Sequence, residues 1–236
     1  MYKKEIKELM AQYPLDPLSG IVSRYLYEQI TYLQIKPGSF LNISQLAADL
    51  NVSRTTIREA ITSLISLKLL IQTESGKIQV APLSTYEMFD VYRARQTIEI
   101  EAARSICEYI TADIVDAMEQ CAKDFRSAVE NRNYLATLDA DKHFHYLIID
   151  SCRNAFIRTM YKSVAGISER YLAYGTIVLT TRSDDNYPFF ASAINQHFML
   201  VHAFRSAIPD HVAHILELHL DTAAKVCSYP GSELKI

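Results

Sequence analysis

Residues 37–70 read PGSFLNISQLAADLNVSRTTIREAITSLISLKLL. Asn42 can cap a helix, and Gln45 follows it at the spacing of a capping box. Ser53 can cap a second helix, in which apolar residues recur at helical spacing from Ile57 to Leu64. About three residues separate the two helices, which is the connection length of a helix-turn-helix. This part of the chain is therefore predicted to form that motif.

The flanking residues predict a winged form of the motif. Residues 19–33 carry apolar side chains on one helical stripe, and Pro37-Gly38 follow as a helix stop. Residues 69–82 read LLIQTESGKIQVAP, which favours two short strands joined by a turn at Ser75-Gly76. We therefore predict an N-terminal extension at 1–17 and a winged helix-turn-helix domain at 18–82, with three helices and a two-stranded wing.

The remainder of the chain, residues 83–236, is predicted to be all helical. It shows long amphipathic stretches and no strand alternation as far as about residue 228. Helices are expected near 84–109, 111–131, 133–152, 154–180, 187–207 and 209–228, with the longest loop at 181–188. The fold class is therefore mainly α, with an antiparallel bundle of six to seven helices after the winged domain.

Length, charge and cysteine content narrow the class of protein. The 236 residues suit two domains, and the formal net charge is −3. Residues 1–82 carry nine Lys/Arg and seven Asp/Glu, whereas the rest carry 15 and 20, so DNA binding must be argued from the placement of residues. No apolar run is long enough to span a bilayer, which leads us to expect a cytoplasmic protein. The four cysteines are widely spaced and predicted to be thiols in a reducing compartment.

The start of the second helix of the motif carries the side chains suited to DNA. Arg54 and Arg58 are four residues apart and lie on a face away from the apolar stripe. Arginine can bind guanine or a phosphate, and short hydroxyl side chains suit phosphates or single base contacts. The predicted DNA-binding residues in this segment are Ser53, Arg54, Thr55, Thr56 and Arg58. The alternative is that these residues form a solvated helical face with no partner. The helix-turn before them and the wing after them favour DNA binding instead.

Four polar residues in the helical region occupy positions where a helix should be apolar. Asp141 and His145 fall on the buried stripe of one helix, His197 on that of another and His219 on that of a third. Burying a carboxylate and three imidazoles is costly unless they satisfy one another, and a shared divalent cation does so. Imidazole and carboxylate ligands suit zinc, nickel, manganese or iron(II), and such ligands alone do not choose among these metals; of the four, we expect zinc first. The alternative for each of these residues, taken alone, is a hydrogen-bonded position in the core. The other histidines lie on flanking or polar faces and are predicted not to be ligands: His143, His202, His211 and His214.

The N-terminal motif resembles the winged helix of the GntR family over about residues 20 to 80. The resemblance is carried by Pro37-Gly38, Leu46-Ala47 and the run from Val52 to Ala60, VSRTTIREA. It implies that Arg54, Thr55 and Arg58 contact operator DNA, and that Gly76 lies at a wing tip that enters the minor groove. Thr56 stands where many members have proline, and Leu67-Lys68 stands where an acidic residue and glycine usually precede the wing.

Residues 84–226 resemble the FCD ligand-binding domain of the FadR-type branch of that family. The matching motifs are Arg95 to Glu99, Asp141 to His145, Gln196-His197 and His219-Leu220. The resemblance implies that Asp141, His145, His197 and His219 bind a metal, and that an organic acid completes its coordination. It leaves Arg95 either as a partner of that acid or as a salt-bridge partner of Glu99 or Glu101. Side chains expected to line the pocket are Arg170, Tyr171, Tyr174 and Asn195.

The implied function is a homodimeric regulator that binds a short inverted-repeat operator and responds to a small carboxylate. A metal-dependent hydrolase is the first rival, because a site of this kind could activate water, but no separate general base such as the glutamate of HExxH accompanies the ligands. We therefore expect that the chain is not an enzyme. The other rivals are a purely structural metal site with the effector bound elsewhere, and a ligand-free protein-interaction module.

Overall fold

The structure is a computed structural model that describes residues 2–182 and 187–227. Within these residues the chain forms ten helices and one small sheet, and it divides into two compact units between Leu83 and Ser84. The elements of the first unit are α1 (Tyr2–Gln12), α2 (Leu18–Thr31), β1 (Phe40–Leu41), α3 (Ile43–Leu50), α4 (Arg54–Ser66), β2 (Leu70–Gln72) and β3 (Ile78–Val80). Those of the second are α5 (Thr85–Ile106), α6 (Ala112–Glu130), α7 (Tyr134–Ser151), α8 (Ala155–Arg182), α9 (Tyr187–Ser206) and α10 (Pro209–Cys227).

The predicted helix-turn-helix is formed by α3 and α4, and both predicted caps are present. Asn42 Oδ1 accepts hydrogen bonds from the backbone N–H groups of Ser44 and Gln45. The Gln45 side chain points along the helix, where its Nε2 donates to Asp49, and it does not complete the capping box. Ser53 Oγ accepts from the backbone N–H of Thr56 and so begins α4. The helix stripes pack inward, with fully buried residues at Val22, Leu26, Ile30, Ile57 and Leu64.

The wing has one strand more than the sequence predicted. β2 and β3 pair antiparallel as expected, and Gly76 has φ +78° in the turn between them, a conformation that glycine adopts freely. β1 adds to the other side of β3, which gives the order β1-β3-β2. The two-stranded wing was predicted correctly, but the third strand, β1, was missed, because two residues are too few to show the alternation of a strand. Helix α1 was also missed within the extension at 1–17; it contacts α2 and α3 and buries Ile6.

The second unit is the predicted helical bundle, with six helices among the described residues. Their apolar faces meet in one core that includes Met118, Phe144, Ile148, Phe204 and Leu216. Side chains of Thr111 and Asn133 cap α6 and α7, close to the predicted breaks. The predicted loop at 181–188 overlaps the end of α8 and the start of α9, and residues 183–186 lie outside the described residues.

Two further expectations concern membrane-spanning helices and the state of the cysteines. The described helices include none that combines the length and apolar character needed to cross a membrane. Cys107, Cys121 and Cys152 are free thiols, and the side chain of Cys227 lies outside the described residues.

Candidate metal centre and DNA-binding surface

The bundle brings together the four side chains that the sequence singles out as metal ligands. Asp141 and His145 come from α7, His197 from α9 and His219 from α10, and one ligand atom from each lies within 4.8 Å of the others. All four residues are buried. The predicted non-ligands, by contrast, are exposed: His143, His202, His211 and His214.

The separations between these atoms suit a single small cation. The Nε2 atoms of His145 and His219 are 3.1 Å apart. From the Asp141 carboxylate, the Nε2 atoms of His197, His145 and His219 lie 3.5, 3.8 and 4.0 Å away. Two nitrogen ligands of one zinc ion can be no more than about 4.2 Å apart, because each bond is about 2.1 Å long. These four separations fall below that limit, and no pair among the four ligand atoms exceeds 4.8 Å.

Each imidazole is held through its other ring nitrogen by a hydrogen-bond acceptor. His145 Nδ1 lies 2.6 Å from Glu99 Oε2, and His197 Nδ1 lies 2.9 Å from the carbonyl oxygen of Ala193. His219 Nδ1 lies 3.2 Å from the amide oxygen of Gln196. Carboxylate and carbonyl oxygens only accept, so each Nδ1 carries a proton, and in the neutral form of each imidazole the lone pair lies on Nε2.

Three lone pairs and one carboxylate therefore face one another inside the bundle. When both imidazoles are neutral with the proton on Nδ1, neither of the neighbouring Nε2 atoms of His145 and His219 can donate to the other, although they are 3.1 Å apart. His197 Nε2 is buried and has no hydrogen-bond partner among the described residues. Such an arrangement is repulsive and poorly solvated unless something positive is shared between its members. The donor set fits a divalent cation.

Two groups of the cluster, Asp141 and His219, have pKa values shifted in the direction that metal binding requires. Burial alone would raise the pKa of Asp141, but the nearby imidazoles of His145 and His197 lower it below its usual value, so the group is a carboxylate. Burial, reinforced by His197 and His145, lowers the pKa of His219 well below its usual value, which keeps this imidazole neutral at neutral pH. Metal ligation requires an ionised carboxylate and neutral imidazoles.

Arg95 forms the salt bridge that the sequence left as one of its two roles. Its Nε donates to Glu99 Oε1, and both side chains are buried. Burial would raise the pKa of Glu99, but Arg95 and His145 lower it, so Glu99 is ionised. The contact between Glu99 and His145 was missed, because the two residues are 46 positions apart and no local pattern links them. Arg95 is not among the described residues that line the cavity described next, and its pairing with an effector stays a prediction.

A cavity of about 30 Å³ adjoins the cluster and is lined by Asp141 and His219. Its wall also includes Gln196, whereas Asn195 is exposed on α9. Adjacent helical residues point about 100° apart, so Gln196 faces the cavity and Asn195 does not. The role of Asn195 in effector binding stays a prediction. The other lining residues come from five helices: Phe125, Thr137, Leu138, Leu172, Thr176, Phe190, Ala193, Thr222 and Ala223.

The predicted DNA-binding side chains lie at the start of α4 and in the wing turn. Arg54, Thr55 and Arg58 are exposed. Ser53 and Thr56 are partly occupied by the cap, since their hydroxyl oxygens are 2.8 Å apart and Ser53 also accepts from the backbone of Thr56. The surface that is free to contact DNA is therefore formed mainly by the two arginines and Thr55.

Comparison with protein families gives two matches along the chain. Residues 18–77 match the family described as bacterial regulatory proteins, gntR family, and residues 90–222 match the FCD domain. Relatives include the Nta operon transcriptional regulator of Aminobacter aminovorans, 24% identical over 197 residues that cover 74% of this chain and 90% of that protein. The HTH-type transcriptional repressor RspR of Escherichia coli K12 is 28% identical over 153 residues, 61% of this chain and 64% of its own length.

Solved structures share the fold. E. coli McbR/YncC superposes with a TM-score of 0.79 at 18% identity, over 90% of this chain and 98% of that one. A transcriptional regulator GntR from Rhodococcus sp. RHA1 superposes with a TM-score of 0.73 at 18% identity, over 88% of this chain and 96% of that one. The relatives named here are regulators and not enzymes, which agrees with the expectation from the sequence.

Proposed function

We propose a specific mechanism for this chain, which belongs to the GntR family of bacterial regulatory proteins, carries an FCD domain and is a transcriptional regulator. In this mechanism residues 18–82 bind operator DNA, and residues 83–236 bind a divalent cation and a small organic acid. Residues 1–17 form an extension to the DNA-binding domain. Occupation of the helical domain alters the affinity for operator DNA. The observation that carries the proposal is the set of inward-facing Nε2 atoms around the Asp141 carboxylate.

The proposed ligands are Asp141, His145, His197 and His219, and zinc is the cation expected first. The bound cation would supply the positive charge that attracts an effector carboxylate into the bundle. The chain supplies the positioning: Glu99 and Gln196 fix two of the imidazoles, and the backbone of Ala193 fixes the third. Partners of this kind usually change metal affinity by about 10- to 100-fold when they are removed.

On the DNA side, the proposed contacts are made by α4 and the wing. Arg54 and Arg58 reach base edges or phosphates in the major groove, with Thr55 and the Ser53–Thr56 cap beside them. Gly76 lets the wing turn approach the adjacent minor groove. Two copies of the chain would bind a short inverted repeat, one half-site for each winged helix. The coupling between effector and operator is expected to be about 1–3 kcal/mol.

The test is selection of duplexes from a random 30-base-pair pool by the zinc-loaded full chain. An enriched inverted repeat is expected, and an Arg54→Ala/Arg58→Ala variant should fail to enrich it. Affinity for the selected duplex is then measured with and without small carboxylates, for the zinc-loaded and the metal-stripped protein. An acid that changes DNA affinity only in the loaded protein supports the mechanism. Equal effects on both forms would contradict it and favour an effector site remote from the metal.

A further inference from the structure

The hydroxyl group of Tyr171, on α8, contacts the first residue of the helical unit. That unit begins at Ser84, directly after Leu83, the residue through which the DNA-binding unit is joined to it. Tyr171 is buried, and its hydroxyl oxygen accepts a hydrogen bond of 2.9 Å from the backbone N–H of Ser84. The same oxygen lies 2.8 Å from the carbonyl oxygen of Ser84 and 2.9 Å from Glu87 Oε2. The bundle therefore restrains the residue at which the two units are connected.

Tyr171 takes a place that a local helix cap usually fills. Ser84 is the N-cap of α5, and Glu87 follows it at the spacing of a capping box. In such a box the acidic side chain accepts from the backbone N–H of the N-cap residue. Here that N–H donates to Tyr171, and the Ser84 side chain makes no capping hydrogen bond. The first turn of α5 thus has two possible caps, one supplied by α8 and one by Glu87.

The contact consists of hydrogen bonds that can be exchanged for local ones. Burial raises the pKa of Tyr171, so the hydroxyl keeps its proton at neutral pH. This single proton serves two acceptors, the carbonyl oxygen of Ser84 and the carboxylate of Glu87. The carbonyl oxygen also accepts from the backbone N–H of Met88, within α5. Loss of the Tyr171 hydroxyl therefore leaves the Ser84 backbone with partners inside its own helix.

Helix α8 connects this contact with the proposed metal centre. It packs against α5, and also against α7 and α10, which carry Asp141, His145 and His219. Leu172 lines the cavity beside these ligands, whereas the adjacent Tyr171 is not among the described residues of that wall. Packed helices move as rigid elements, so a change in the separation of the ligands also displaces the Tyr171 hydroxyl. In the structure, convergent ligand atoms and the Tyr171 contact occur together.

We propose that Tyr171 is the positioning residue that couples occupancy of the metal centre to operator binding. The inference rests on the proposed function, because it needs both a bound cation and an operator. With the cation bound, the ligands stay together, α8 keeps its position and Tyr171 restrains Ser84. Without it, the facing ligand atoms repel one another, α8 shifts and Glu87 replaces Tyr171 as the partner of the Ser84 N–H. The restraint on the connection to the DNA-binding unit is then released.

Amide hydrogen exchange of the full chain tests the contact. The wild-type Ser84 amide should exchange about two- to tenfold faster after zinc is stripped, which is the value of one hydrogen bond, because a local cap opens more readily than a buried contact. Tyr171→Phe should exchange at the fast rate with and without zinc. Tyr109→Phe is the matched control, since the Tyr109 hydroxyl also accepts from a backbone N–H, that of Arg153. This variant should behave as wild type, and a Ser84 amide indifferent to Tyr171→Phe would overturn the proposal.

Fluorescence anisotropy with the selected operator tests the coupling. Stripping zinc should change the operator affinity of the wild type and of Tyr109→Phe by at least about fivefold, and that of Tyr171→Phe by less than about twofold. Zinc affinity, measured first, should be the same for all three proteins. A wild type that binds no zinc or enriches no operator would overturn the proposed function itself.

With zinc and operator bound by the wild type, three results would overturn the role of Tyr171 alone. The first is a zinc dependence of operator affinity that survives in Tyr171→Phe, and the second is its absence from the wild type. The third is loss of zinc binding in Tyr171→Phe, which would show that the hydroxyl supports the bundle and does not couple its two activities.

Discussion

Replacing Glu99 by glutamine should weaken metal binding, although Glu99 is not among the proposed ligands. Its Oε2 lies 2.6 Å from His145 Nδ1, and its Oε1 accepts from Arg95. The Glu99→Gln change turns a charge-assisted hydrogen bond into a neutral one, which is about half as strong, and it leaves the charge of Arg95 buried beside the site. Both effects reduce the affinity for a cation. We expect a loss of about 10- to 100-fold, which corresponds to about 1.4–2.7 kcal/mol.

The measurement is competition for zinc between the protein and a chromophoric chelator at fixed pH. Because Glu99→Gln strands the Arg95 charge, the Arg95→Met/Glu99→Gln variant removes that contribution and should lose about tenfold. Glu101→Gln is the matched control, since Glu101 is exposed on the same helix. If both Glu99 variants bound zinc as tightly as wild type and Glu101→Gln, the positioning of His145 by Glu99 would be refuted.

Three further predictions concern DNA binding, pH and the backbone. Arg58→Ala should weaken binding to the selected operator by about tenfold or more, whereas the control Arg93→Ala should leave it unchanged, because Arg93 is exposed on α5. Equal affinities of these two variants and the wild type in fluorescence anisotropy would contradict the proposal that α4 contacts DNA. The metal-free protein should melt at a lower temperature as pH falls from 7 to 5. Burial lowers the pKa of His219, so below about pH 6.5 the unfolded chain takes up the proton first and is stabilised; a constant melting temperature over this range would count against it. Lys68→Gly should raise the free energy of unfolding, measured in urea, by up to about 1 kcal/mol, since Lys68 has φ +57°. Asn51→Gly, at the same φ, should raise it less, because asparagine tolerates this conformation. Equal increases would show that strain at Lys68 is not the cause.

Helical periodicity was sufficient to predict that the side chains of the proposed metal ligands would be buried. His145, His197 and His219 occupy apolar stripes in three long helices, and a residue on such a stripe must face the bundle whatever the arrangement of its neighbours. Their convergence on one point depends on how the helices pack, and the motifs shared with a known family supplied that expectation. The caps at Asn42 and Ser53 were predictable for a different reason, because a cap acts within one turn of chain.

Features that depend on contacts between distant segments could not be predicted in the same way. β1 has two residues and exists because β3 offers an unpaired edge. α1 is short and carries Tyr2, Ile6, Leu9 and Met10 at helical spacing among charged residues, and the burial of Ile6 depends on packing against α2 and α3. Asn195 and Gln196 are adjacent and chemically alike, so only the rotation of α9 distinguishes the exposed amide from the one that holds His219.

Metal content of the purified full chain, measured by elemental analysis after equilibrium dialysis against zinc, tests the central claim most directly. One ion per chain is expected for the wild type. His197→Ala should lose it, because that substitution removes the buried Nε2 that has no other partner among the described residues. A wild-type protein without stoichiometric metal, or a His197→Ala variant that retains a full ion, would contradict the assignment of this cluster as a metal centre.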